Sequence, residues 1–319
     1  MAPSSTSPIA SSGSNRVYTR ETDGTGRTII RTVGTSRAEN HAFITLARHF
    51  EALHLPVPHI LGVSEDEMSY TQTDLGSVSL FDLLPASWEE ASEPVVTLLE
   101  KTLRALARFQ LRGAVGCPWD VCYPVPAFDK RSIFWDLNYF KYCYLKVTGH
   151  ELDEPRLEDD FERLATDLLL DRDLISQAFM LRDCQSRNVM VWQGEPYFID
   201  FQGGRKGPVY YDLASFLWQA RAHYPQALRE QLLAAYYNEL TNLLRPADIP
   251  AYEVFRERLT LYVFFRQLQV LGAYGFRGLI EHKEHFLTSL PIAEQNLKAL
   301  LQTNTTLSAR YSYISSLFV

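Results

Sequence analysis

The spacing of apolar residues divides the chain into a strand-rich beginning and a longer helical remainder. The predicted strands cover residues 16–22, 27–33, 57–63 and 68–73. The first two strands are joined by Asp23-Gly24-Thr25-Gly26, a strong turn signal. A helix is predicted from residue 36 to about residue 55, where Ser36 and Glu39 form a capping-box pattern. The beginning of the chain therefore predicts the order strand, strand, helix, strand, strand.

From residue 79 onward, apolar residues recur mainly at helical spacing. Helices are predicted over residues 93–111, 133–144 and 157–169, and further helices start near residues 211, 226, 251 and 284 and continue to about residue 303. The residues after 303 are expected to fray. One hairpin interrupts the helices, because Val189–Trp192 and Pro196–Phe201 are runs of β-forming residues around the turn Gln193-Gly194-Glu195.

This division predicts an α+β fold with two lobes. We expect a flexible lead-in over residues 1–13, a small antiparallel β lobe over residues 14–75 and a larger, mainly helical lobe over residues 76–319. Domain junctions are favoured ligand sites, so a cleft is expected near the connector at residues 72–76. Residues 11–15 are small and polar, and they either approach a phosphate with their backbone N–H groups or belong to a disordered tail.

Composition narrows the function classes. The net charge of -7, without a cluster of Lys and Arg, argues against a nucleic-acid partner. No apolar run approaches the roughly 20 residues that cross a bilayer, so no membrane association is expected. The first dozen residues lack the pattern of a secretory signal. Four cysteines without paired spacing favour free thiols in a reducing compartment, and we expect a cytoplasmic protein.

Three polar residues are placed around the predicted hairpin. Asp183 and Asn188 precede it, five positions apart, and Asp200 follows its second strand. Phosphoryl transfer requires an aligned hydroxyl with a base nearby and magnesium to neutralise the phosphates. Asp183 is the candidate base, and Asn188 and Asp200 offer the oxygen ligands that Mg²⁺ prefers. Taken singly, each is equally explained as a loop, turn or strand-end residue, and their joint spacing favours a functional site.

These motifs resemble those of the protein-kinase-like fold. Arg182-Asp183, Asn188 and Asp200-Phe201 match its catalytic and metal-binding pattern, in which the loop Asp accepts the hydroxyl proton. The wider segments, RDCQSRNVM, YFIDFQGG and GPVYYDLAS, are similar to the aminoglycoside phosphotransferase and choline kinase family, and most of all to its bacterial kinases of N-acetylmuramate and N-acetylglucosamine. The resemblance implies a two-lobed protein-kinase-like fold with ATP and Mg²⁺ as cofactors.

The resemblance also implies nucleotide contacts in the first lobe. The family places a Lys on its third strand, paired with a Glu on the next helix, and here Arg31 and Glu39 take those places. An ordinary exposed strand residue is the alternative for Arg31, and a capping role is the alternative for Glu39. At the connector, Gln72 and Thr73 are expected to contact the nucleotide.

Two neighbours are expected to support the catalytic loop. Arg187 either contacts a phosphate or, as we favour, pairs with a carboxylate that holds the loop. Asp212 stands where a helix begins, which favours N-capping together with support of the catalytic loop. Three aromatic residues ahead of the loop, namely Trp135, Tyr139 and Tyr142, are expected to pack in the core, with stacking on a sugar as the alternative.

The leading hypothesis is an ATP- and magnesium-dependent kinase that phosphorylates a small-molecule hydroxyl, by resemblance the anomeric hydroxyl of an N-acetylated amino sugar in cell-wall sugar recycling. An aminoglycoside or choline/ethanolamine kinase is the alternative, since acidic residues between 151 and 160 offer candidates for a cationic acceptor. A nucleotide-binding regulatory pseudokinase is the alternative outside catalysis.

Overall fold

The computed structural model describes residues 6–9, 16–170 and 173–319. Its contacts define two compact units, each assembled from three stretches of chain. The first unit comprises Met1–Ala127, Gln177–Val209 and Pro225–Arg245, and the second comprises Phe128–Ser176, Tyr210–Tyr224 and Pro246–Val319. The lobe boundary at residue 75 remains a prediction. The small-residue loop at 11–15 lies outside the described residues.

Five antiparallel strands form one sheet in the first unit, in the order β1-β2-β3-β5-β4. They are β1 (Thr6–Ile9), β2 (Val17–Thr22), β3 (Thr28–Val33), β4 (Ile60–Val63) and β5 (Ser69–Thr73). The four strands predicted from the sequence are confirmed. Residues 6–9, which the sequence assigned to a flexible lead-in, pair with β2, with Ile9 opposite Tyr18, and the other residues of that lead-in lie outside the described residues.

One helix connects β3 to β4. Helix α1 (Arg37–Ala52) begins after Ser36, whose Oγ accepts a hydrogen bond from the backbone N–H of Glu39 at 3.4 Å. This N-cap satisfies a backbone donor that has no partner within the helix. The predicted helix is confirmed, and it ends three residues earlier than expected.

The remaining helices account for most of the chain. They are α2 (Glu93–Gly113), α3 (Lys130–Tyr139), α4 (Glu154–Leu168), α5 (Val209–Leu217), α6 (Gln226–Leu243), α7 (Tyr252–Tyr274), α8 (Glu284–Thr303), α9 (Thr305–Arg310) and α10 (Ser312–Ser316). Helices α2 and α6 belong to the first unit, and π-helical turns at Phe140–Leu145 and Gly275–Ile280 extend α3 and α7. Within the described ranges, no helix is both long and apolar enough to span a membrane.

The end of the chain is helical and is held by polar contacts to α4, so the expectation of fraying after residue 303 is wrong. A carboxylate oxygen of Asp160, Oδ2, accepts hydrogen bonds from the backbone N–H groups of Tyr313 and Ile314, both at 3.0 Å. The guanidinium of Arg310 donates to both carboxylate oxygens of Asp167 at 2.5 Å. The pattern of apolar residues carried no sign of these polar contacts.

Two short sheets follow α4 along the chain, and both belong to the first unit. Strands β6 (Ala178–Met180) and β9 (Arg205–Gly207) form one, and the hairpin of β7 (Val189–Trp192) and β8 (Glu195–Phe198) forms the other. The hairpin is confirmed, although its second strand ends at Phe198 and not at Phe201. The β6–β9 pair is an addition that the sequence did not predict.

A cluster of phenylalanine rings fills the core of the first unit and anchors these elements. Phe50 of α1 lies 4.6 Å from Phe109 of α2 and 4.8 Å from Phe179 of β6, measured between ring centroids. Phe43 of α1 stacks on Phe201 at 4.8 Å. Burial of one such side chain contributes about 1.5–3 kcal/mol. The cluster therefore fixes the segment that carries Asp200 against α1.

Candidate active site

Strand register gathers the three candidate residues. In the hairpin, Val189 pairs with Phe198, and the backbone N–H of Ile199 donates to the carbonyl of Asn188 at 3.0 Å. Asn188 immediately precedes β7, and Asp200 lies two residues beyond β8. Pairing of β6 with β9 returns the loop that carries Asp183 to the same region. Residues far apart in sequence thus meet at the open end of the hairpin.

The side-chain amide of Asn188 contacts both Asp183 and Asp200. The Nδ2 of Asn188 donates to the backbone carbonyl of Asp183 at 2.9 Å and lies 3.2 Å from its Oδ2. The same nitrogen lies 3.3 Å from Oδ2 of Asp200. The structure therefore brings together all three residues singled out by their spacing.

Two glutamines complete the hydrogen bonds of the carboxylates. Gln185 donates to Oδ1 of Asp183, and Nε2 of Gln202 donates to Oδ1 of Asp200 at 2.6 Å. Asp200 has a positive φ of 64°, a left-handed conformation that Asp tolerates better than most residues. Backbone strain of this kind concentrates at functional sites.

The electrostatics of the site favour a bound cation. Burial raises the pKa of Asp200, and the neighbouring charge of Asp183 raises it further, against smaller opposing effects of Gln202 and Arg16. Asp183 is exposed and offers its carboxylate to solvent. A divalent cation held by Asp200 would offset this repulsion. The described residues contain no group of three or more His, Cys, Asp or Glu placed for a metal ion. A site of one amide and one carboxylate suits Mg²⁺, which retains waters and phosphate oxygens in its shell.

Glu39 has a different partner from the one predicted. Its Oε1 lies 3.2 Å from Nη2 of Arg16, the residue immediately before β2. The predicted pair of Arg31 with Glu39 is therefore wrong. Glu39 does not close a reciprocal capping box with its side chain, which is directed to Arg16.

Strand alternation explains the position of Arg31. Ile30 and Thr32 are buried, so Arg31 between them projects from the opposite, exposed face of β3. There its Nε lies 3.1 Å from Oε1 of Glu21 on β2. The resemblance placed the cation on β3, and the exposed face of β3 directs Arg31 away from Glu39. Contact of Arg31 with nucleotide remains a prediction.

The connector after β5 is held by polar contacts. Gln72 pairs with Ile30 of β3, and Oγ1 of Thr73 accepts a hydrogen bond from the backbone N–H of His59 at 2.9 Å. Next to them, Arg20 donates to both carboxylate oxygens of Asp74 at 2.6 and 2.9 Å. Nucleotide contact by Gln72 and Thr73 remains a prediction.

The two supporting residues differ from expectation. Arg187 lies in the 3-10 turn Ser186–Asn188, and in the part of the chain that the structure describes it has no carboxylate partner. Asp212 is fully buried at the fourth residue of α5, so the N-cap interpretation is wrong because the helix begins at Val209. Support of the catalytic loop by either residue remains a prediction.

The second unit carries the aromatic residues noted in the sequence. Trp135, Tyr139 and Tyr142 are 43, 46 and 56% exposed, so the expectation of core packing is wrong. They lie at helical spacing on α3 and its π-helical extension. Their contact with a sugar remains a prediction.

Sequence reasoning missed Arg16, Gln185 and Gln202. The two glutamines stand two residues beyond Asp183 and Asp200, a spacing that permits a side chain to bond its neighbour but is too common to single them out. Arg16 is the first residue of a predicted strand, and nothing in its sequence context distinguishes it from an exposed basic residue. It is only 4% exposed, which the sequence could not predict because Arg is rarely buried.

Comparison with known proteins identifies the family of the chain. The model of the phosphotransferase enzyme family matches residues 5–253. The N-acetylmuramate/N-acetylglucosamine kinase of Pseudomonas aeruginosa strain PAO1 is 27% identical over 288 residues, which cover 89% of this chain and 80% of that protein.

Solved structures show the same fold. A choline/ethanolamine kinase family protein from Mesorhizobium loti superposes with a TM-score of 0.60 at 15% identity, covering 97% of this chain and 92% of that chain. Amicoumacin kinase, solved with AMP-PNP and Ca²⁺, has a TM-score of 0.61 at 10% identity, covering 91% and 87%. The predicted α+β, protein-kinase-like fold, with an antiparallel sheet and a mainly helical part, is confirmed. The chain belongs to the phosphotransferase enzyme family and is a small-molecule kinase.

Proposed function

We propose that this kinase transfers the γ-phosphate of ATP to a hydroxyl of an N-acetylated amino sugar, namely the anomeric hydroxyl of N-acetylmuramate or N-acetylglucosamine. The observation that supports phosphoryl transfer is that Nδ2 of Asn188 lies within 3.3 Å of a carboxylate oxygen of both Asp183 and Asp200. The name of the Pseudomonas aeruginosa relative supports the substrate class.

The roles follow from exposure and chemistry. Asp183 is exposed and accepts the proton of the sugar hydroxyl as the oxygen forms its bond to the γ-phosphorus and ADP leaves. Asn188, through its amide oxygen, and Asp200, through its carboxylate, would hold Mg²⁺. When bound, the metal neutralises the phosphate charge. Gln202 and Asn188 orient Asp200, and Gln185 orients Asp183.

The acidic segment of the second unit argues against a cationic acceptor bound there. Buried Lys141 pairs with Glu154 and with Glu158, the latter at 2.7 Å, and Lys146 pairs with Glu154 at 2.5 Å. Asp160 is buried and accepts backbone hydrogen bonds. Glu154, Glu158 and Asp160 are thus compensated within the unit, whereas an aminoglycoside or choline requires uncompensated acidic groups. A neutral or anionic sugar can bind without uncompensated acidic groups.

Acceptor phosphorylation tests the proposal. The purified protein is incubated with ATP, Mg²⁺ and single acceptors, namely N-acetylglucosamine, N-acetylmuramate, choline and kanamycin, and each product is followed by mass spectrometry. Methyl glycosides of the two sugars, which lack a free anomeric hydroxyl, serve as matched controls. We expect phosphorylation of the free sugars alone. Product from kanamycin or choline with none from the sugars would contradict the substrate class, and product from the methyl glycosides would contradict the anomeric position.

A further inference from the structure

We propose that Arg16, supplied from the start of β2, is the cation that binds the nucleotide phosphates, in the role that the sequence resemblance gives to Arg31. This inference rests on the proposed nucleotide-dependent function and names a residue of the same site. It is carried by the pairing, burial and position of Arg16 in the first unit.

The pairing of Arg16 is the one expected of a phosphate-binding cation. Its Nη2 lies 3.2 Å from Oε1 of Glu39, the residue of α1 identified as the partner of that cation. A guanidinium carries five N–H donors in a fixed fork, so one edge can bond a carboxylate while others bond phosphate oxygens. Arg31, in contrast, is half exposed and pairs with Glu21 on the outer face.

Arg16 lies near the segment that carries Asp200. Its Cζ lies 5.9 Å from the ring centroid of Phe43, which is one helical turn beyond Glu39 on α1. Phe43 stacks at 4.8 Å and 13° on Phe201, the residue that follows Asp200. The guanidinium and the metal-binding carboxylate are thus fixed by the same pair of stacked rings.

Stability alone is a poor explanation for this residue. The side chain of Arg16 is only 3% exposed, and a guanidinium loses much of its hydration when it is buried, even beside Glu39 and the rings of Tyr18 and Phe43. Replacement of buried ion pairs by apolar residues is often neutral or stabilising. Glu39, at 29% side-chain exposure, does not require a buried partner. A phosphate ligand would give this buried charge a function beyond stability.

The preference for ATP over adenosine tests the proposal, because adenosine lacks the phosphates. Dissociation constants for both ligands are measured by calorimetry with Mg²⁺ for the wild type and for Arg16→Met, Arg31→Met and Arg37→Met. Arg37 is a matched control for loss of one positive charge, since it lies on α1 and pairs with Glu67. We expect Arg16→Met to reduce the ATP preference about 10- to 100-fold, the effect of losing charge-assisted hydrogen bonds, while adenosine binding is retained. Arg31→Met and Arg37→Met are expected to keep the wild-type preference.

The outcomes separate this inference from the proposed function. If the wild type does not bind ATP, the proposed function fails and the inference fails with it. If the wild type prefers ATP and Arg16→Met keeps that preference, or loses ATP and adenosine binding equally, the inference alone is overturned. Thermal unfolding establishes that each variant is folded. If Arg16→Met does not fold, Arg16→Gln decides the question, because Gln keeps a donor toward Glu39 without the charge.

Discussion

Repulsion between Asp183 and Asp200 has a consequence for stability that is independent of any substrate. One amide nitrogen lies within 3.3 Å of a carboxylate oxygen of each residue, so those two oxygens are no more than about 6.5 Å apart. Two like charges at that distance repel by about 2.5 kcal/mol at an effective dielectric constant of about 20, and by about 0.6 kcal/mol in bulk water. Because Asp183 is exposed, solvent screening places the expected value in the lower half of this range.

A double-mutant cycle isolates this repulsion from the lost hydrogen bonds. The free energy of unfolding in urea is measured at neutral pH with a chelator for the wild type, Asp183→Asn, Asp200→Asn and the double variant. We expect a repulsive coupling of about 0.6–1.5 kcal/mol between the two carboxylates. We expect 1 M salt to reduce it, because the Debye length is then about 3 Å. A coupling of zero, or an attractive one, would refute the electrostatic account of the site.

Three further predictions follow from individual contacts. Asp200→Ala is expected to weaken Mg·ATP binding at least 10-fold in calorimetry while adenosine binding is kept, because the variant lacks the carboxylate proposed to hold the metal. Equal weakening of both ligands would contradict that role. Asp160→Ala is expected to lower the free energy of unfolding by about 2–4 kcal/mol, because two buried N–H groups lose a charged acceptor. Asp159→Ala, at the exposed neighbouring position, is expected to unfold within about 0.5 kcal/mol of the wild type. Similar changes for the two variants would contradict the role of Asp160. Burial raises the pKa of Asp167, but hydrogen bonds from Arg310 and Tyr311 outweigh this effect and hold the pKa below its ordinary value. The stability that Asp167 contributes is therefore present above about pH 4 and is lost as the pH falls further. The urea midpoint of the wild type is expected to approach that of Asp167→Asn on acidification, and a constant difference between the two midpoints would contradict the role of this ion pair.

The sequence was informative where short-range patterns determine structure. Alternation predicted four strands of the sheet, and the Ser36 cap with apolar residues at helical spacing predicted α1. The spacing of Asp183, Asn188 and Asp200 around a hairpin predicted their convergence, because a hairpin fixes the register of residues on either side of its turn. These features depend on residues close together along the chain.

Contacts between distant segments could not be predicted in the same way. The partner of Glu39 is decided by which face of β3 is buried and by the approach of the residue before β2, and no local pattern distinguishes Arg16 from Arg31. The ordered end of the chain depends on Asp160, a residue that looks like part of an exposed acidic helix.

The central claim is that Asp183 accepts the proton when a phosphoryl group is transferred to an amino sugar. The most direct test is phosphorylation of N-acetylglucosamine and N-acetylmuramate, followed by mass spectrometry, with wild type and Asp183→Asn at matched ATP saturation. The account predicts a sugar phosphate from the wild type, and a turnover reduced by about 10²- to 10⁴-fold in Asp183→Asn with the affinity for ATP retained. Wild-type turnover in Asp183→Asn, or no sugar phosphate from the wild type, would contradict it.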